Sequence, residues 1–103
     1  LLPHVIEINL QALQARDPGS RAINRYKEVA RIITGNSTAR VSDGISWIRN
    51  LCSKLQVPRL AEYGIEQADF STIVTNSKNA SSMKGNPILL TETELVQVLE
   101  RAV

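Results

Sequence analysis

Leu1-Leu2-Pro3-His4-Val5-Ile6-Glu7-Ile8-Asn9-Leu10-Gln11-Ala12-Leu13 decides how the fold is read. Pro3 suits the first turn of a helix, where an N–H would have no intrahelical partner. Leu1, Leu2, Val5, Ile6, Ile8, Leu10, Ala12 and Leu13 fall on more than one face of that helix. Such a helix expects cover on several sides; where residues outside this chain supply it, Leu2, Val5, Ile6, Leu10 and Leu13 are left as an exposed apolar patch.

Asp17-Pro18-Gly19 breaks the first pattern as a turn. Ser20 can then cap a second helix, whose apolar positions Ile23, Tyr26, Val29, Ala30 and Ile33 recur at three- and four-residue steps. Gly35 closes it in a left-handed cap. A third helix is predicted from about Thr38 to Leu55 on the stripe Val41, Ile45, Ile48, Cys52, Leu55, with Trp47 and Leu51 widening the apolar face. Gly44 within it costs about 1 kcal/mol relative to Ala, and Val57-Pro58 stops it. Arg59 to Gly64 reads as a connection in which Tyr63 is a packing anchor. A fourth helix begins at Ile65 and runs through Phe70, Ile73 and Val74 to about Asn79. Thr91 and Glu94 have capping-box spacing for a last helix with Leu95, Val98, Leu99 and Ala102 inside. No strand pattern competes, and no repeat, low-complexity segment or long linker divides the chain. The expectation is one all-α, five- to six-helix bundle-like domain over residues 1–103.

Between the fourth and last helices lies Ala80-Ser-Ser-Met-Lys-Gly-Asn-Pro-Ile88, a polar loop containing Gly and Pro. Loops of this kind on a helical scaffold are where function concentrates. Asn86 must leave the α region ahead of Pro87, and Gly85 lets the backbone turn or approach a ligand closely. The competing reading is a plain interhelical turn.

Composition is that of an ordinary globular domain, with 43% hydrophobic and 21% charged residues. Twelve basic residues against ten acidic ones, scattered without a run, give a net charge of +2 and no footprint for nucleic acid or an anionic membrane. The single Cys52 excludes an internal disulfide and, from its place in the apolar stripe, reads as a buried core thiol. That fits a reducing, cytoplasmic compartment. There is no 18-residue apolar run and no basic-then-apolar leader, so neither a membrane span nor a secretion signal is read. The chain starts in mid-pattern without Met, as a cut polypeptide would.

Leu1 to Asn9, then Arg25-Tyr26-Lys27-Glu28-Val29-Ala30-Arg31, then Gly85-Asn86-Pro87 ahead of the last amphipathic helix, resemble the C-terminal part of iron-containing (group III) alcohol dehydrogenases. The resemblance extends in order and spacing along essentially the whole chain. It implies the C-terminal helical portion of a dehydroquinate-synthase-like two-domain enzyme. In such an enzyme an N-terminal nucleotide-binding domain supplies the NAD(P) site, and a divalent metal, iron or zinc, sits between the domains on an Asp and three His. All of those ligands would precede Leu1. The implied activity is hydride exchange between a nicotinamide and an alcohol or aldehyde, with the metal polarising the oxygen. The implied partners are the N-terminal domain, the substrate and a second subunit.

The residues agree that this chain carries no reacting group. It has one His and one Cys, with no cluster pairing them with carboxylates, so it supplies neither metal ligands nor a nucleophile with a neighbouring base. Its five Gly are isolated, so no phosphate loop and no cofactor-binding residue is present. His4 sits just past the ligand-bearing helix of the resembled family, at a position that does not ligate, and is assigned a supporting or packing role beside the metal site. Asp17 is a turn residue, Asp43 lies on a polar face, and Asp69 and Glu62 are taken as solvated. Arg25, Arg31, Arg40 and Arg49 lie opposite the apolar stripes as surface residues. The resemblance brings the loop close to substrate and nicotinamide. Ser82, Met83 and Asn86 are therefore the substrate-pocket residues, with Met83 an adaptable apolar wall and Asn86 holding the loop. The competing function is an independent helical interaction module that binds a partner through the apolar surface of the first helix.

Overall fold

The computed structural model describes residues 1–103 and is all helical, with five α-helices and no strand. They are α1 (Leu2–Arg16), α2 (Arg21–Thr34), α3 (Val41–Lys54), α4 (Phe70–Asn79) and α5 (Glu92–Ala102). Three short 3-10 turns, Leu60–Tyr63, Gln67–Asp69 and Ser81–Gly85, fill the connections.

The apolar patch expected on the first helix is mostly covered within the chain: Leu13 is buried, Val5, Ile6 and Leu10 are half-buried, and Leu2 alone of the five is exposed. The helix packs against α2, α3 and α5, and its Ile8, Asn9, Ala12 and Leu13 are fully buried. Leu1 and Leu2 remain exposed. The broad apolar surface on which an independent interaction module would rely is therefore largely used inside the chain. Ile8 and Ala12 form one core with Leu90 and Val98, while Phe70, Val74 and Leu99 form a second. Leu95 packs against both and joins them. Burying side chains of this size stabilises by about 1.5–3 kcal/mol each.

Capping follows local chemistry. Ser20 Oγ accepts from the Ala22 N–H at 3.2 Å, and Gly35 ends α2 in the left-handed region at φ 67°. Thr91 and Glu94 form a complete capping box, with bonds of 2.8 and 3.2 Å. At the end of α3 the Val57 N–H donates to Cys52 O and the Gln56 N–H to Ser53 O, the two bonds of a Schellman motif. The residue that turns left there is Gln56, at φ 52°.

Several local expectations are corrected. The third helix begins at Val41, because the Asn36 side chain accepts from both the backbone and hydroxyl of Thr38 and holds residues 36–38 in a turn. Asp43 then accepts from the Arg40 N–H at 2.8 Å and caps the helix. Glu62 and Asp69 are exposed but do more than meet solvent. They accept from the N–H groups of Arg59 (3.0 Å) and Glu66 (2.9 Å) and close the two 3-10 turns. The second of these turns delays the fourth helix from Ile65 to Phe70. Tyr63 anchors nothing; it is 69% exposed. Gly44 is buried against Ala30 of α2 and permits the α2–α3 approach, so its lower helix propensity is offset by packing. The α3 stripe is buried at Val41 and Ile45, half-buried at Ile48 and Cys52, and exposed at Leu55. Cys52 is not a core thiol, because cover from the rest of the chain thins out toward the C-terminal end of α3.

Candidate functional site

Asn86 has left the helical region, at φ −68° and ψ 137°, as Pro87 requires. Gly85 has no left-handed φ, and a Cβ there would meet nothing within 4 Å, so neither the turn nor a close approach within these residues depends on glycine. The loop is instead an ordered 3-10 turn, in which the Met83 N–H donates to Ala80 O and the Asn86 N–H to Met83 O, each at 3.1 Å.

Side chains tie this turn to the first helix. Asn86 Nδ2 donates to Asn9 Oδ1 and Asn9 Nδ2 donates to Asn86 Oδ1, both at 2.8 Å. Asn86 Nδ2 also donates to Ile88 O at 2.7 Å, and Asn9 Nδ2 to the Tyr26 hydroxyl at 3.1 Å. A backbone carbonyl only accepts, so the Ile88 contact fixes which way the Asn86 amide faces. Asn9 is 1% exposed. A buried carboxamide with unmet groups costs about 1–3 kcal/mol, and here both amides have all their N–H groups engaged. Farther along, Arg16 Nη2 donates to Leu89 O (2.9 Å) and Glu94 Oε2 (3.0 Å), which holds the other end of the loop to α1. The Arg16 bond keeps the Glu94 carboxyl below its usual range.

The turn closes one end of an apolar cleft of about 220 Å³ between α1, α4 and α5. Leu1, Val5 of α1, Ile73 and Val74 of α4 and Leu95 of α5 face it, with Met83 and Asn86 from the turn. Ser77 and Asn86 are its only polar lining residues and none is charged, so it can hold a hydrocarbon chain but cannot move a proton. Complete small-molecule pockets run to about 300–1,000 Å³, and this cleft has the size of part of one.

The structure thus brings together two of the three residues assigned to the loop. Met83 is half-buried and lines the cleft beside Asn86, while Ser82 sits on the exposed side of the same turn and does not line it. His4 lies elsewhere, in a separate depression with Arg49, Cys52 and Gln56. Its Nδ1 is buried without a hydrogen-bond partner, and its pKa is lowered by desolvation, with the positive charge of Arg49 acting the same way. No group of three or more His, Cys, Asp or Glu could hold a metal ion. One imidazole does not fit a metal site, which needs three or four protein ligands.

Asn9 and Tyr26 are the site residues that reasoning along the sequence missed. Their signal was a lone carboxamide inside an apolar run, between Ile8 and Leu10. Its partners lie 17 and 77 residues away, beyond the reach of any helical period.

No curated protein and no solved structure matches this chain. The family described as Fe-containing alcohol dehydrogenase family, C-terminal, matches residues 1–103. A helical domain without strands, with its polar loop clasped to the first helix over an apolar cleft, is consistent with that match. The chain belongs to the Fe-containing alcohol dehydrogenase family, and its residues 1–103 are of that family's C-terminal helical domain.

Proposed function

We propose that this chain is the C-terminal helical part of an NAD(P)-dependent, metal-dependent alcohol dehydrogenase. An alcohol would give a hydride to the nicotinamide and a proton to solvent, leaving an aldehyde or ketone. The family match supports this class of reaction. Residues 1–103 would contribute shape, forming one apolar wall of the substrate pocket, while the divalent metal, iron or zinc, and the nicotinamide would be held by residues outside them. The observation that carries the assignment is the uncharged cleft with Met83 and Asn86 in its lining. Ser82, exposed on the same turn, would be met by the N-terminal nucleotide-binding domain as it closes over the pocket. His4, in the depression with Arg49 and Gln56, would pack beside that domain. A cytoplasmic enzyme with a second subunit completes the proposal. No helix is long and apolar enough to cross a membrane.

Substituting the wall tests the reading. In the intact enzyme Met83→Ala is expected to change the ratio of kcat/KM for 1-hexanol to that for ethanol by roughly tenfold or more, as removing several methylenes from an apolar pocket does. Bound metal should be unchanged. A ratio equal to that of the parent enzyme would overturn the assignment of the cleft to the alcohol.

A further inference from the structure

The polar contacts behind the cleft form a continuous series. The Tyr26 hydroxyl of α2 accepts from Asn9 of α1, Asn9 exchanges two bonds with Asn86, and the Asn86 N–H donates to the carbonyl of Met83. Tyr26 also lies in the seam where α2 meets α3, beside Ala30 and Gly44. The series therefore runs from the helix pair with the most extensive contact in the chain to the wall of the cleft.

We propose that Asn9 and Tyr26 are positioning residues for the cleft, acting through Asn86 to set where Met83 stands. The inference rests on the reading of the cleft as an alcohol pocket. Two antiparallel N–H···O bonds between planar amides fix both distance and direction, since sliding either amide breaks both. Met83 is three residues before Asn86 and joined to it by the bond that closes the turn. Its unbranched side chain has little stiffness of its own, so its backbone position decides the shape of the wall. Asn9 is buried beneath this pair and does not line the cleft, so its effect on substrate passes through Asn86. Tyr26 holds Asn9 by using its second N–H, leaving the first for Asn86.

The test uses the intact enzyme with 1-hexanol and ethanol as probes and four variants, Asn9→Ala, Asn86→Ala, their double and Tyr26→Phe, with Met83→Ala as reference. Met83→Ala should move the ratio of the two kcat/KM values. Asn9→Ala and Asn86→Ala should each move it roughly tenfold, and the double no more than either alone, because one lock is lost in all three. Tyr26→Phe should move it the same way by less. Hydrogen exchange at residues 81–86 should rise in each lock variant. If Met83→Ala moves the ratio while Asn9→Ala and Tyr26→Phe lower only the melting temperature, the lock is structural and the inference falls, with the pocket reading intact. Additive effects of Asn9→Ala and Asn86→Ala would also overturn it. If Met83→Ala leaves the ratio unmoved, the pocket reading and the inference fall together. Should Asn9→Ala not accumulate, Tyr26→Phe decides alone, since it removes one oxygen and keeps the ring.

Discussion

A Cβ built on Gly44 of α3 would stand 2.7 Å from the Cβ of Ala30 on α2 and 3.0 Å from its Cα. The two helices cross where neither has more than a methyl group. Gly44→Ala gains about 1 kcal/mol of helix propensity, but overpacking a closed seam costs about 1–3 kcal/mol. The strain wins, because the nearest atoms belong to a short side chain and the backbone, which cannot swing aside. Urea unfolding should show a net loss of up to about 2 kcal/mol on this balance. Adding Ala30→Gly should recover part of it. An unfolding midpoint that rises in Gly44→Ala would show that the seam has room.

Glu7 offers one oxygen, Oε2, to Arg49 of α3 and Arg101 of α5, both at 2.7 Å. It joins three helices through one charge. Both arginines are partly exposed, so each pair is worth at most about 1 kcal/mol after solvent screening. Glu7→Gln removes both at once and leaves the two guanidinium groups facing each other. The expected loss is about 1–2 kcal/mol at low salt, shrinking as salt is added. A salt-independent loss would point to packing instead.

Gln56 adopts a left-handed conformation that suits glycine. Its backbone already makes the Schellman bond to Ser53 O at 3.1 Å. Gln56→Gly keeps that bond and relieves the strained φ, so stability should rise by up to about 1 kcal/mol. Thermal unfolding of the pair of proteins measures it.

His4 has its pKa lowered, first by burial and then by Arg49, with Arg101 acting the same way and Glu7 opposing. The unfolded chain therefore takes up this proton more readily than the folded one. The contribution of neutral His4 is present above the ordinary histidine value and fades as pH falls through the lowered folded value. Stability should decline over that acid range, and His4→Gln should flatten the decline. A histidine resonance titrating at or above the ordinary value would contradict the burial.

Ser82→Leu in the intact enzyme tests the exposed side of the turn. If the N-terminal domain closes there, preference among alcohols should shift by size over roughly a 10- to 200-fold range, with metal content constant. Equal losses for every alcohol would remove Ser82 from the pocket.

Much of this fold was legible residue by residue, because its determinants are local. The Ser20 cap, the Gly35 stop, the Thr91 and Glu94 box and the turn at Asp17-Pro18-Gly19 each act within a few residues. Periodicity likewise shows which face of a helix is apolar. Period cannot say how far a partner covers that face, so the stripe marks Cys52 and Leu55 as interior although they lie half-buried and exposed. Nor does composition distinguish a carboxylate that meets water from one that bonds a backbone N–H three residues earlier, as Glu62 and Asp69 do. The loop could be recognised, and Asn86 could be expected to hold it, from the Asn-Pro pair alone. What it is held to depended on the packing of α1. Only tertiary structure sets Asn9 opposite Asn86, 77 residues away, because burial removes water as the alternative partner and leaves each amide the other to satisfy it.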